Sequence, residues 1–406
     1  MRPIKEQYVP IERITHEGKQ NFFGYYDIQP FSGDNAYHLC HRVDFKDRMQ
    51  SQNDVAEIGM IRLYDNTFIP LARTYAWNFQ QGSLLQWHPA YPNDKIIYNA
   101  IYGDENYCER FSAVIRDIKT GEKKILPMPL ANVSPDGKFG LSINFARVYW
   151  LRPGYGYAGI KDSWENEAHP TDDGVWRVDL ETGETKLVIS TDTLFKICEP
   201  YMTEDERSMK YVVNHVNLNT DGTRFLMLFR GRFNSSPNTF HVTYTITCNS
   251  DGSDPYVLLC NSGSHLHWRD NENVLIWSEP KGSDKTDFYL LKDKTHEYTL
   301  FDPDGLIGRN GHVSFSPDRR YVLNDTYPLE DGFIKLSIYD TVTCKRIPLA
   351  DICSEKLDHI PCEDVRCDLH PRWSRDGSMI SFDSVHEGHR HIYRIRTEDI
   401  KELQNK

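Results

Sequence analysis

The stretch HPRWSRD (370–376) sets a histidine six residues before an aspartate, in a turn that runs into the strand-like SMISFDSV. The same frame recurs as HPAYPND (88–94), HVNLNTD (215–221), HLHWRDN (265–271) and HVSFSPD (312–318). Two further segments, IQPFSGD (28–34) and LANVSPDG (130–137), keep the turn without the histidine, which makes seven units. Each turn leads into a short apolar run, and a second hairpin then follows in every unit. VIRDIKTGEKKILP (114–127), VWRVDLETGETKLVIS (175–190) and LSIYDTVTCKRIPL (336–349) are examples, with alternating apolar residues on either side of an Asp, Gly or Thr turn. Four short strands per unit, recurring every ~40–60 residues, are the pattern of a β-propeller blade. The expected fold is all-β: a seven-bladed propeller of four-stranded antiparallel blades, forming one domain over residues 1–406. Blade starts are expected near 28, 88, 130, 215, 265, 312 and 370.

The last unit runs out after HIYRIRTEDI, one strand short. The N-terminal YVPIERIT (8–15) is expected to supply that strand and so remove the open edges of the ring. The third unit carries a long excursion without period, about 148–173, holding Arg152, Tyr155, Tyr157 and Trp164. Loops of that length tend to be functional, and this one is expected to wall the central funnel.

A net charge of −12 excludes nucleic acid and an anionic membrane as principal partners. No apolar run is long enough for a transmembrane helix. The N-terminus lacks a signal-peptide core, and nine scattered cysteines without CxxC pairs read as reduced thiols, so the expected location is the cytoplasm. Cys362 and Cys367, close to His370, imitate a zinc site at a non-standard spacing.

In a propeller the innermost strand of each blade lines the channel, and residues at its start open at one face. Placed by the frame, His88, His215, His265, His312 and His370 converge there. Neutral imidazole is the commonest metal ligand at physiological pH. Several imidazoles with a carboxylate suit a divalent transition metal. Asp368, two residues before His370, lies on the same side of an extended segment and can complete the shell, with Glu363 and Asp364 as neighbours. Tyr25, Tyr26 and Trp87 are expected near the mouth.

The last blade, DLHPRWSRDGSMISFDSVHEGHRHIYRI (368–395), resembles the closing blade of the oligogalacturonate lyases, seven-bladed propeller enzymes that bind manganese. SHLHW (264–268), GHVSFS (311–316) and NHVNLN (214–219) are similar to segments of that family in the same order. The resemblance spans about residues 211–396. It implies a lyase that cleaves uronic-acid glycans by β-elimination, with an oligosaccharide as substrate and Mn2+ as cofactor. It further implies metal ligation by His312 and His370, catalysis by His265 and a substrate clamp at Arg230 or Arg232; the repeat frame adds His215, and proximity to His370 adds Asp368, as candidate ligands. His267 is the other imidazole placed to act as base, and His88, His267 and Tyr26 are candidates for substrate binding. The chain departs from the family pattern twice: Asp368 stands where the first histidine of an H-x-H pair is found, and Val365 stands in place of a glutamine ligand. Two other classes fit the same propeller. One is a non-catalytic binding module with a structural metal. The other is a glycoside hydrolase, which requires two opposed carboxylates.

Overall fold

The computed structural model describes residues 4–103, 109–233, 240–354 and 363–404. Seven antiparallel sheets follow one another around a channel. Their innermost strands are Gln20–Phe22, Gln86–Trp87, Asn132–Val133, Lys210–Leu218, Ser264–Trp268, Val313–Phe315 and Arg372–Trp373. Closure follows the sequence expectation: Glu12–Arg13 is the fourth strand of the last blade, pairing with His391–Arg396. A feature not foreseen is that Ile4–Gln7 extends blade six, pairing with Lys345–Cys353 as a fifth strand. The N-terminal segment thus covers the outer edges of two adjacent blades, where unpaired backbone groups would otherwise face solvent. No helix among the described residues is long and apolar enough to cross a membrane.

The turn after the innermost strand fixes the true equivalence of the blades. In four of them a serine (Ser32, Ser134, Ser316, Ser374) donates its hydroxyl to an aspartate two residues on, at 2.6–2.8 Å. Its main-chain N–H bonds back to the carbonyl of the next strand, as in Ser374 to Met379 at 2.8 Å. In blade two the residue making that backbone bond is His88, to Lys95 at 2.9 Å. His88 is therefore equivalent to Ser374 and not to His370. Its turn is two residues longer than the serine turns, and its aspartate, Asp94, stands two residues nearer the next strand than Asp376 does, which together shifted the six-residue frame by four positions. Counting four back from each turn gives the equivalent set Ile28, Leu84, Leu130, His215, His265, His312 and His370. His88 sits at the opposite face of the ring, beside Tyr91 and Gly137. The expectation that it binds substrate with the other histidines is corrected.

The tryptophans just before these turns are structural. Trp87, Trp268 and Trp373 each donate an indole N–H to the inner strand of the preceding blade, at Pro30, Asn217 and Ser314. Trp87 thus ties blades one and two together and does not reach the mouth.

Blade one is irregular where it matters. Its inner strand breaks after Phe22 and resumes with the isolated bridge Phe31–His38. Residues between them, including Tyr25, Tyr26 and Asp27, leave the sheet and enter the channel. The excursion in blade three begins with a helix, Phe145–Leu151. Arg147, 1% exposed, staples it down: its guanidinium pairs with Asp162 and donates to the carbonyls of Tyr211, Trp164, Glu167 and Ala168.

Candidate metal and catalytic site

Four of the five histidines meet at one end of the channel, brought there by blades four to seven. The rings of His265 and His312 are 4.4 Å apart, and those of His312 and His370 are 4.2 Å apart, both edge to face. Ligand atoms of His312, Asp368 and His370 lie within 4.8 Å of one another, and all three residues are buried.

Their surroundings hold each in a ligating state. Asp325 ends the strand paired with Val313–Phe315 and accepts the main-chain N–H of His312 at 2.7 Å. It also accepts the His312 Nδ1 proton at 2.9 Å and the main-chain N–H of His370 at 3.2 Å. A proton on Nδ1 leaves the Nε2 lone pair of His312 available. His370 Nε2 is buried without a hydrogen-bond partner, which is costly unless something else occupies it. Desolvation, with His312 next, holds the His370 pKa well below the usual histidine range, so the ring is neutral. Desolvation pulls the Asp368 pKa up, but Arg366 and His312 outweigh it and the net shift is downward. Arg366 grips that carboxylate with two bonds of 2.6 and 3.2 Å. An orphaned imidazole nitrogen, a second free lone pair and an ionised carboxylate fit a divalent cation of the Mn, Fe or Zn type.

His265 stands beside this group with both ring nitrogens engaged. Nδ1 faces Asn310 Oδ1 at 2.6 Å, and Nε2 faces the Tyr327 hydroxyl at 3.0 Å. Because Asn310 Oδ1 only accepts, the proton is on Nδ1, and Nε2 accepts from Tyr327. Burial, with His312 second, keeps the His265 pKa well below its ordinary value, and burial drives that of Tyr327 up. The ring is neutral and the phenol keeps its proton.

Arg230 lines the same cavity. No described carboxylate pairs with it, its Nε has no partner, and burial followed by the neighbouring Arg152 lowers its pKa to about 10. Arg152 comes from the blade-three excursion, over the Tyr155 ring at 4.3 Å, and is neutralised by Asp364 at 2.9 and 3.2 Å. Arg152 and Tyr155 therefore wall the cavity as expected of the excursion. Tyr157 instead packs on Phe145 inside the protein, and Trp164 bonds Asp172. The space lined by Arg152, Tyr155, His215, Arg230, His265 and Tyr327 is about 40 Å3, room for a small number of waters; His312, Asp368 and His370 stand behind His265 and do not line it.

Several sequence expectations need correction. Arg232, two residues beyond Arg230, donates to the Leu151 carbonyl at the end of the helix and does not line the cavity. His215 does lie in the cavity, yet it is outside the ligand cluster. Its ring stacks on Tyr25 at 5.1 Å, and Nδ1 meets Gln81 Nε2 at 3.2 Å. His267 lies across Tyr26 in a different cavity, facing Arg319, because two residues along a strand advance ~6.6 Å down the channel. The Tyr26 hydroxyl is consumed by the main chain of Leu266, to which it both donates and accepts at 2.9 Å. The ring itself backs His312 at 5.0 Å, so Tyr26 is a fixed wall. Asp364 is occupied by Arg152, and Val365 is buried against the core around Phe22 and Trp77. The Glu363 side chain and Cys362 lie outside the described residues.

Asp325, Asn310, Tyr327 and Arg366 were not singled out from the sequence. A hairpin signal existed for Asp325, because pairing of Val313 with Asn324 places it opposite His312. Nothing comparable marked Asn310 or Tyr327, which come from the ends of loops.

Two solved structures align with almost the whole chain. One, an oligogalacturonate lyase from Vibrio parahaemolyticus, is 17% identical with a TM-score of 0.65, covering 98% of this chain and 96% of its own. The other, an oligogalacturonate lyase in complex with manganese, is 14% identical with a TM-score of 0.66, covering 97% and 94%. The chain shares their fold. No family model matches it, and no curated protein sequence does.

Proposed function

We propose that the protein is an oligogalacturonate-lyase-like enzyme, cleaving uronic-acid oligosaccharides by β-elimination with a divalent cation, Mn2+, held by His312, Asp368 and His370. The observation that carries this reading is the buried juxtaposition of an orphaned imidazole nitrogen, an ionised carboxylate, a neutral base and an unpaired guanidinium. Elimination from a uronate needs all four, because the proton at C5 is only weakly acidic beside a carboxylate. The cation, when bound, supplies Lewis acidity that neutralises that carboxylate. Arg230, with no competing partner, binds the same carboxylate and stabilises the charge that develops on it.

As the Tyr327 hydroxyl turns from His265 Nε2 to the departing oxygen, Nε2 takes the C5 proton, the bond from C4 to that oxygen breaks and the C4–C5 double bond forms. Tyr327, kept protonated by burial, gives its proton to the leaving oxygen and recovers one from His265. The net result moves one proton from C5 to the departing sugar and restores both side chains. Asn310 holds the ring in the tautomer that makes this possible. A two-carboxylate hydrolase is less well supported: Asp325, Asp364 and Asp368 are each committed to a histidine or an arginine.

Incubation with oligogalacturonides and Mn2+ should raise ultraviolet absorbance as the unsaturated product forms. His265→Gln should abolish the rise, and Tyr327→Phe should lower kcat by about 10²–10⁴-fold, as for loss of a general acid. Neither should change Mn2+ binding. Absence of product from every oligouronide tried, with metal bound, defeats the proposal.

A further inference from the structure

Below the Tyr25–Tyr26 plug, on the face carrying the serine turns, lies a second cavity of about 290 Å3. This is near the lower end, roughly 300 Å3, of pockets that take small molecules. Its wall is unusually cationic. Arg319 and Arg375 both line it, and neither pairs with a carboxylate among the described residues. Arg375 spends one N–H on the Phe31 carbonyl at 3.1 Å. Desolvation lowers the pKa of both guanidiniums, with Asp270 opposing it at Arg319, although Arg319 remains exposed and Arg375 half-buried, so each can reach a ligand from solvent. Arg372, 1% exposed, stands behind them; it pairs with Asp383 at 2.9 Å, yet its Nη1 has no partner. The buried Ser314 hydroxyl on the same wall is also unpartnered. His267 completes this side. The one acid on the wall, Asp27, has Oδ2 bonded by Asn217 Nδ2 and Oδ1 without a partner, and burial raises its pKa to about 6.

Buried donors without acceptors are expensive to keep, at ~1–3 kcal/mol each. Here Ser314 and Arg372, each with such a donor, line the same cavity as Arg319 and Arg375, and an oxyanion bound there would supply the acceptor they lack. We infer that this cavity is an anion site, separate from the histidine cluster, that takes a phosphoryl or carboxylate group on a molecule of about monosaccharide size. Arginine forks suit both groups, since each presents two oxygens to parallel N–H donors. The inference does not depend on the lyase reading, because Tyr26 separates the two cavities and none of Arg319, Arg375 or Ser314 lines the upper one.

Calorimetric titration at constant ionic strength tests it, with inorganic phosphate in one arm and galacturonate in the other. Saturable binding of phosphate alone assigns a phosphoryl ligand, and of galacturonate alone a carboxylate ligand. In either case Arg319→Asn and Arg375→Gln should each weaken binding about tenfold or more, whereas galacturonate held in the upper cavity would be lost in Arg230→Ala instead. Asparagine is chosen because Arg319 has φ +64°, which asparagine tolerates. Circular dichroism of each variant controls for folding, and Arg375→Gln serves should Arg319→Asn misfold. The inference is overturned by no saturable binding of either anion at millimolar concentration. It is equally overturned by folded variants that bind as the parent does, or by galacturonate binding that is lost in Arg230→Ala and retained in the other two.

Discussion

Replacing Asp325 by asparagine tests whether the histidine cluster is built for a metal. Asp325 touches no cation position itself, but it accepts three hydrogen bonds, two from His312 and one from the main chain of His370. It is 1% exposed. Asparagine has the same shape but replaces one accepting oxygen with an NH2 group, so at least one of the three donors then faces a donor. The negative charge that strengthens the basicity of His312 Nε2 is lost as well. A hydrogen bond to a charged group contributes ~1.5–3 kcal/mol. At 1.4 kcal/mol per factor of ten, this gives about 10–100-fold in affinity, the range found when groups supporting a metal ligand are removed. Chelator-stripped protein titrated with MnCl2 should therefore show Asp325→Asn binding about 10–100-fold more weakly than the parent, with its far-ultraviolet dichroism unchanged. Asp368→Asn should lose more, since it removes a ligand oxygen and leaves Arg366 without its partner. A folded Asp325→Asn variant with the parent's affinity refutes the reasoning, since His312 would then be oriented by Asp325 for packing alone.

Other perturbations separate chemistry from architecture. Arg230→Ala should lower kcat by about 10²–10³-fold, the effect of removing one donor to a developing oxyanion, while Mn2+ titration is unchanged; a parallel loss of metal would place Arg230 in the ligand scaffold instead. Asp27→Asn should alter the pH dependence of stability. Burial raises the Asp27 pKa from 3.8 to about 6, and its Oδ1 is unpartnered. The folded state therefore holds more protons than the unfolded state between those values, and stability falls as pH rises through that window. Two pKa units set an upper bound of about 3 kcal/mol; thermal midpoints should favour Asp27→Asn at pH above about 7 and converge with the parent in the acid. Arg147→Ala removes a buried ion pair and four carbonyl contacts, and should destabilise by about 3–5 kcal/mol. Limited proteolysis should then cut first within 148–173, the segment that delivers Arg152 and Tyr155.

The propeller was legible because its signal is repetition. Seven turns and seven following hairpins agree with one another, so an error in any one does little harm. The site was legible only as far as the repeat carried it. His215, His265, His312 and His370 share a frame and meet in space, whereas His88 satisfied the same spacing through a longer turn and lies at the other face. Spacing to an aspartate is not register; the backbone bond that closes the turn is. Residues contributed from outside the repeat were harder. Tyr25 and Tyr26 enter the channel because one inner strand breaks, Arg152 arrives on an insertion, and Asn310 and Tyr327 sit at loop ends. No periodicity reports such placements, since they depend on how far neighbouring blades lean over the channel.

The equivalent positions also explain why the chemistry is confined to one side of the ring. At that position φ is +52° for Leu84, +54° for His215, +32° for His265 and +43° for His370. A left-handed backbone at a residue other than glycine costs ~1–3 kcal/mol and persists only when its surroundings hold it. Leu84 shares the conformation without any polar role, and at His215 and His265 it coincides with a bulge inside the inner strand, so the strain comes from the local backbone and not from ligation; Ile28, Leu130 and His312 do not share it. Blades four to seven fill the position with imidazole, and blades one to three fill it with Ile28, Leu84 and Leu130. The apolar half, together with the Tyr25–Tyr26 insertion, packs the channel from its own side and displaces the open space toward the histidines. A metal and a substrate carboxylate would then sit off the axis, against blades four to seven, where Arg230 and the Arg366–Asp368 pair also stand.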